Sequence, residues 1–119
     1  AFAATEVSNR AVLVHTGWDR YWQTDQYYEG HPYLTAAAAA YLRDEGAWLV
    51  GIDSLNIDET TAYDRPVHST LLEAGIPIVE HLTNLERLPS EGFMFFAAPP
   101  KIAGMGTFPV RAHAVIEVQ

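Results

Sequence analysis

The sequence predicts an α/β fold, and the order of its apolar runs carries this prediction. Ala11–Val14 is a compact apolar run, and residues 47–52 form a nearly continuous one, which is typical of a strand buried on both faces. Helix-sized segments separate the strand candidates, and the order strand, helix, strand, helix, strand is that of an α/β protein. With 119 residues, of which 49% are apolar and 18% charged, we expect one domain over residues 1–119.

The first helix is predicted from residue 36 to about residue 45. Thr35 is a suitable N-cap, five consecutive alanines favour helix after it, and Gly46 supplies the stop. Before this helix lies a polar and aromatic segment, residues 19–32. We expect a role in function there, because long ordered loops in compact domains tend to be functional.

The second helix is shorter, and it follows a polar loop over residues 56–65. It is predicted over residues 68–74, with Gly75 closing it. Three further strands are predicted, with no helix between the last two: residues 76–80, 93–97 and 110–118. The chain therefore ends in a β-rich segment.

Composition excludes several classes of partner. A net charge of −8 and a pI near 4.9 argue against nucleic acid or an anionic membrane surface. No apolar run approaches the roughly 18 residues of a membrane span, and no signal peptide precedes the first strand, so we expect no membrane partner. The chain has no cysteine, which excludes disulfides and thiolate metal sites and fits a cytoplasmic location.

The most informative pair of polar residues is His68 and Glu80, twelve residues apart. Glu80 lies in an apolar run, and a carboxylate buried there is costly unless it is paired or bound to a metal. Imidazole and carboxylate are suitable ligands for Zn²⁺ or Mn²⁺. The alternative is that His68 caps or packs at a helix start while Glu80 points to solvent from an edge strand.

Other candidates are less specific. Asp53 ends a buried strand, where α/β ligand sites tend to lie, but it could equally satisfy loop amides in an Asx-turn. The aromatic loop could form the wall of an apolar pocket, and core packing explains such residues as well. His81 follows Glu80 on the predicted strand, so we expect the two side chains to point to opposite faces.

Six segments in order resemble one family, and together they cover most of the chain from residue 11: V-L-V-H-T-G-W at 12–18, G-H-P at 30–32, L-V-G-I-D-S at 49–54, P-V-H at 66–68, I-V-E-H-L-T-N-L at 78–85 and P-V-R-A at 109–112. They are similar to the C-terminal half of the cyclase-like metal-dependent hydrolases, which include bacterial kynurenine formamidase and isatin hydrolase. The resemblance implies a swivelling β/β/α fold and hydrolysis of a small-molecule amide with a divalent metal, Zn²⁺ or Mn²⁺.

The resemblance also assigns site residues. A histidine in the P-V-H segment and a glutamate in the I-V-E segment are metal ligands in that family, and His68 and Glu80 match both positions. This favours metal ligation over the alternative for this pair. We further assign Trp18, Trp22 and Tyr27 to the wall of the substrate pocket.

One part of the family pattern is missing. The signature H-x-G-T-H-x-D-x-x-x-H, which supplies further metal ligands and the acid–base histidine, does not occur in these 119 residues. We therefore expect an incomplete fold without its N-terminal half, and either a completing N-terminal segment or a homo-oligomer as partner. Two hypotheses follow: part of a metal-dependent amide hydrolase, or a catalytically inactive domain that acts as a binding or oligomerisation module.

Overall fold

Three parallel strands form the first sheet of the computed structural model, which describes residues 5–117. They are β1 (Ala11–Val14), β2 (Leu49–Ile52) and β3 (Ile78–Val79), in the order β1-β2-β3. Ala11 pairs with Leu49 and Val14 with Ile52. The predicted strands at 47–52 and 76–80 are thus present but shorter, and Glu80 directly follows β3 instead of lying within it.

Helix α1 (Ala36–Asp44) connects β1 to β2 and begins where the sequence predicts. The Thr35 hydroxyl accepts a 3.1 Å hydrogen bond from the amide of Ala38, which satisfies one of the free N–H groups of the first turn. Gly46 follows the helix with a φ of 83°, a left-handed conformation that glycine adopts without a Cβ penalty. The N-cap and the stop of this helix are both confirmed.

Helix α2 (Pro66–Glu73) connects β2 to β3 and begins two residues before the predicted start at His68. Proline is favoured in the first turn, because its missing N–H would be unpaired there in any residue. The helix buries Val67 and Leu71 completely.

The core lies between the sheet and the two helices, which contact each other. Its fully buried members come from β2, both helices and the loop after β2: Ala39, Leu42, Val50, Ile52, Ile57, Val67 and Leu71. Because two crossovers join three neighbouring parallel strands, the helices cover one face of the sheet. The carboxyl ends of the strands then meet at one edge.

The segment after β1 is ordered by two short 3₁₀ turns, Trp18–Tyr21 and Asp25–Tyr28. The Asp19 carboxylate accepts hydrogen bonds from the Thr83 hydroxyl at 2.8 Å and from the amide of Asn84 at 3.1 Å. These contacts join the predicted functional loop to the segment after β3.

The residues after Leu85 belong to a second compact unit. Its strands β4 (Phe93–Ala97) and β5 (Ala112–Ile116) pair antiparallel, with Phe93 opposite Ile116. β4 matches its predicted bounds, and β5 is shorter than predicted, with Val118 outside the described residues. The assignment of residues 1–119 to one domain stays a prediction. Over residues 5–117, no helix has the length and apolarity needed to span a membrane.

Gly51 in β2 lies where a side chain would collide with its neighbours, so Gly51→Ala should destabilise the fold. A Cβ there would stand 2.8 Å from a methyl group of Leu13 and 2.8 Å from one of Leu82. We expect a loss of about 1–3 kcal/mol in the free energy of unfolding, which is typical of overpacking and measurable by urea denaturation. Gly106→Ala, where a Cβ meets open space, is the control; equal effects would contradict this prediction.

Candidate functional site

Asp53 follows β2 and joins the end of this strand to the loop after β1. Its buried carboxylate accepts hydrogen bonds from the Thr16 amide at 2.8 Å, the Thr16 hydroxyl at 2.6 Å and the Gly17 amide at 2.9 Å. Asp53 therefore satisfies backbone amides of a loop, as in one of the two alternatives. The amides belong to the loop after β1, 37 residues earlier in the chain, and not to the turn of Asp53 itself.

Asp58, which is almost completely buried, organises the start of α2. Its Oδ1 accepts the amide of Val67 at 2.9 Å, and its Oδ2 accepts the amide of His68 at 2.8 Å. Oδ2 also lies 2.7 Å from Nδ1 of the His68 ring. A carboxylate at a helix N-terminus pairs with the free N–H groups and with the positive end of the helix dipole.

These bonds change the acidity of Asp58. Burial alone raises its pKa, but the hydrogen bonds from the amides of His68 and Val67 and from the imidazole outweigh burial. The pKa of Asp58 therefore lies below its ordinary value of 3.8. An ionised carboxylate can only accept hydrogen bonds, so Nδ1 of His68 carries the hydrogen. The lone pair of the neutral ring is then on Nε2.

Nε2 of His68 faces Glu80. The distance from Nε2 to Glu80 Oε2 is 3.5 Å, and both side chains are largely buried, with 13% and 23% exposure. The same carboxylate oxygen accepts the amide of Ile57 at 2.7 Å, so Glu80 does not point freely to solvent. The structure thus brings together the two residues that the sequence singled out.

A third residue, Arg65, occupies the space at Nε2. Its guanidinium Nη2 lies 2.8 Å from His68 Nε2, and since arginine can only donate, Nε2 accepts this hydrogen bond. Sequence reasoning missed Arg65. Its spacing of three residues before His68 at a helix start was the available signal, because such residues are neighbours on one helix face.

The donor set tests whether a divalent metal fits here. Imidazole nitrogen and carboxylate oxygen suit Zn²⁺ or Mn²⁺, and an imidazole whose other nitrogen donates to a carboxylate is the arrangement common at metal sites. A guanidinium cation already stands at the free nitrogen, as a metal cation would. The pair therefore fits a divalent metal, but only as part of a site. Among the described residues, no group of three or more His, Cys, Asp or Glu side chains could hold a metal ion.

The predicted pocket-wall residues contact one another. The indole N–H of Trp18 donates to the Tyr27 carbonyl at 2.9 Å, and the Trp22 ring meets the Tyr27 ring edge-on at 5.3 Å. Tyr27 is buried, whereas Trp22 is 55% exposed. Only part of this cluster is therefore accessible to a ligand.

His81 connects the aromatic cluster to Glu80, and sequence reasoning missed this connection. Its Nδ1 lies 3.0 Å from the Tyr27 hydroxyl, and its ring stacks on Tyr27 and meets Trp22 edge-on. Its φ of 60° is left-handed, a conformation that costs a non-glycine residue of order 1–3 kcal/mol. The prediction that Glu80 and His81 alternate across one strand does not hold, because β3 ends at Val79 and His81 has a left-handed backbone.

Two further histidines have contacts of their own. His31 is buried and donates from Nδ1 to the Pro32 carbonyl at 3.0 Å, while its Nε2 lies 3.3 Å from the Thr60 hydroxyl. His113 is exposed on β5 and stacks on Phe96 at 4.9 Å. These contacts give both residues packing roles.

The sequence of this chain is similar to one protein family and to several curated proteins. Residues 2–59 match the sequence model of a family described as "Putative cyclase". An uncharacterised protein of Methanocaldococcus jannaschii is 31% identical over 106 residues, which are 88% of this chain and 53% of the relative. A kynurenine formamidase of Geobacillus thermodenitrificans is 31% identical over 102 residues, 85% of this chain and 47% of the relative. The chain spans about half the length of these curated relatives.

Solved structures agree with these relatives. An isatin hydrolase bound to the product analogue thioisatinate matches with a TM-score of 0.82 and 26% identity, over 94% of this chain and 48% of that one. A potential metal-dependent hydrolase with cyclase activity matches with a TM-score of 0.58 and 38% identity, over 67% and 39%. These likenesses confirm the fold class predicted from the sequence.

Removing the Asp58 carboxylate should destabilise the fold through α2. Asp58→Ala leaves the amides of Val67 and His68 and the His68 ring nitrogen without their acceptor, which should cost about 1–3 kcal/mol in the free energy of unfolding. Chemical denaturation measures the loss. Asp64→Ala removes an exposed carboxylate from the same loop and should change stability by less than about 0.5 kcal/mol. Equal losses in the two variants would show that the hydrogen bonds of Asp58 contribute nothing specific.

Tyr27 should give the chain a distinctive response to alkali. Burial raises the pKa of Tyr27 from 10.0 to about 12, with the carboxylates of Asp53 and Asp19 adding to the rise. The folded state then keeps a proton that the unfolded state loses near pH 10. The stability contributed by the neutral phenol is full below pH 10 and is lost as the pH rises toward 12.

A spectrophotometric titration tests this response. One of the six tyrosines should ionise near pH 12, and Tyr27→Phe should remove that step and flatten the fall of stability above pH 10. Tyr63→Phe, at a fully exposed residue, is the control and should leave the late step in place. The assignment fails if the late step survives in Tyr27→Phe.

Proposed function

We propose that this chain, a member of the cyclase-like family, forms part of a divalent-metal-dependent hydrolase that acts on amide-type bonds of small molecules. The observation that carries the proposal is the approach of His68 Nε2 to Glu80 Oε2 at 3.5 Å, with Asp58 fixing the ring from the other side. Similarity to a kynurenine formamidase and to an isatin hydrolase supports the substrate class. The absence of cysteine supports a cytoplasmic location as part of this proposal.

In this proposal His68 and Glu80 hold a Zn²⁺ or Mn²⁺ ion. The bound cation supplies Lewis-acid activation of the substrate carbonyl and of water. Asp58 keeps the Nε2 lone pair of His68 available by accepting the Nδ1 hydrogen, and the amide of Ile57 fixes the Glu80 carboxylate. Both contacts orient ligands before the cation arrives, which lowers the cost of binding it.

The aromatic cluster of Trp18, Trp22 and Tyr27 serves as part of the substrate wall. The stacking of His81 on Tyr27 supports this role, because His81 directly follows the proposed metal ligand Glu80 in the chain. An aromatic wall suits a flat, conjugated amide, since ring faces stack favourably on one another. The remaining metal ligands and the proton-transferring histidine come from a completing segment or from a second subunit.

Metal titration calorimetry with Zn²⁺ tests this proposal. The chain should bind one ion, and His68→Ala and Glu80→Gln should each weaken binding by at least about tenfold, a loss that even outer partners of a metal site can cause. His113→Ala removes an exposed histidine of the second unit and serves as control. Binding that is indifferent to His68 and Glu80 would refute the assignment. Hydrolysis of N-formylkynurenine by the loaded chain then measures whether these residues suffice for turnover.

The second candidate function is a catalytically inactive module for binding or oligomerisation. Exposed apolar side chains on the two-stranded unit favour it, because an isolated hairpin is marginally stable in water. They are Met94, Phe96, Val115 and Ile116. Analytical ultracentrifugation distinguishes the candidates: self-association without stoichiometric metal supports the module, and a monomer excludes its oligomerisation role.

A further inference from the structure

The guanidinium of Arg65 contacts Nε2 of His68, the nitrogen that the proposed metal would bind. Arg65 is the N-cap residue of α2, but its side chain makes no capping hydrogen bond. Instead, its guanidinium donates to Nε2 of His68 at 2.8 Å. The side chain is therefore committed to the imidazole and not to the helix.

The imidazole can serve only one of the two cations. Nδ1 of His68 donates to Asp58, which leaves a single lone pair on the ring, at Nε2. A metal ion and a guanidinium N–H both need this lone pair, so each excludes the other. We infer that Arg65 is a resident competitor for the metal, whose guanidinium must leave His68 before a divalent cation can bind there. This inference rests on the metal-binding role proposed above.

The surroundings explain why a cation occupies this position. The carboxylates of Asp58 and Glu80 lie 2.7 Å and 3.5 Å from the two ring nitrogens of His68. Two carboxylates so close to one ring favour a positive charge beside it, and the Arg65 guanidinium supplies that charge. Because Arg65 is exposed, its side chain can turn into water without disturbing the core.

Displacement lowers the affinity of the site for every divalent cation by the same factor. Zinc binds nitrogen and oxygen sites more tightly than manganese does. Because this loss of affinity is the same for every cation, ions that bind weakly no longer occupy the site at metal concentrations where zinc still binds. Arg65 in this way raises the concentration threshold for occupancy without changing the order of preference.

Calorimetric titration of the 119-residue chain with Zn²⁺ tests the inference. Arg65→Met keeps the length of the side chain but removes its charge and its donors, and it should bind Zn²⁺ about three- to tenfold more tightly than the wild type, the range expected for removing one competing hydrogen bond. Arg65→Gln should shift the affinity in the same direction. Arg111→Met makes the same charge change at an exposed residue of the second unit and should leave the affinity within about twofold.

A second measurement needs no metal. Nitrogen NMR of the histidine rings, assigned with His68→Ala, should show the Nε2 resonance of His68 moving in Arg65→Met as the lone pair loses its donor. An unchanged resonance, or an affinity equal to that of Arg111→Met, overturns the inference about Arg65 while the metal site stands, provided that His68→Ala abolishes binding. If no variant binds Zn²⁺ through His68, the proposed function and this inference both fall.

Discussion

The buried carboxylate of Asp58 is the constraint on which the candidate site depends. It accepts hydrogen bonds from the first turn of α2 and from the ring of His68, so one group both begins the helix and selects the tautomer. The free Nε2 lone pair, its contact with Arg65 and its approach to Glu80 all follow from that selection. A change at Asp58 therefore affects the start of α2 and both contacts of His68 Nε2.

The sequence predicted the fold where consecutive residues carry the signal. The cap at Thr35 and the stop at Gly46 depend only on local backbone chemistry, and both lie where predicted. The start of α2 was misplaced, because Pro66 opens the helix under a cap supplied by Asp58 from the preceding loop. Asp58 lies nine residues before Val67, whose amide it accepts, so no pattern of neighbouring residues indicates this cap.

The candidate site was predicted in part for the same physical reason. An unexplained carboxylate in an apolar run pointed to Glu80, with His68 as its possible partner, and the family resemblance favoured metal ligation for this pair. The roles of Arg65 and His81 depend on tertiary contacts and on a left-handed backbone that histidine seldom adopts. Only the folded chain reveals that His81, the residue after Glu80, contacts Tyr27 and Trp22.

The parallel pairing of β1 with β2 bears on how the chain emerges from the ribosome. Thr16 and Gly17 cannot form their hydrogen bonds to Asp53 until that residue has been synthesised, 37 residues after Thr16. At ~5–20 residues per second, translation leaves roughly 2–7 s in which the apolar strand Ala11–Val14 cannot yet pair with β2. During that interval the edge of the nascent strand that pairs with β2 in the folded chain exposes backbone N–H and C=O groups that other extended chains could pair with.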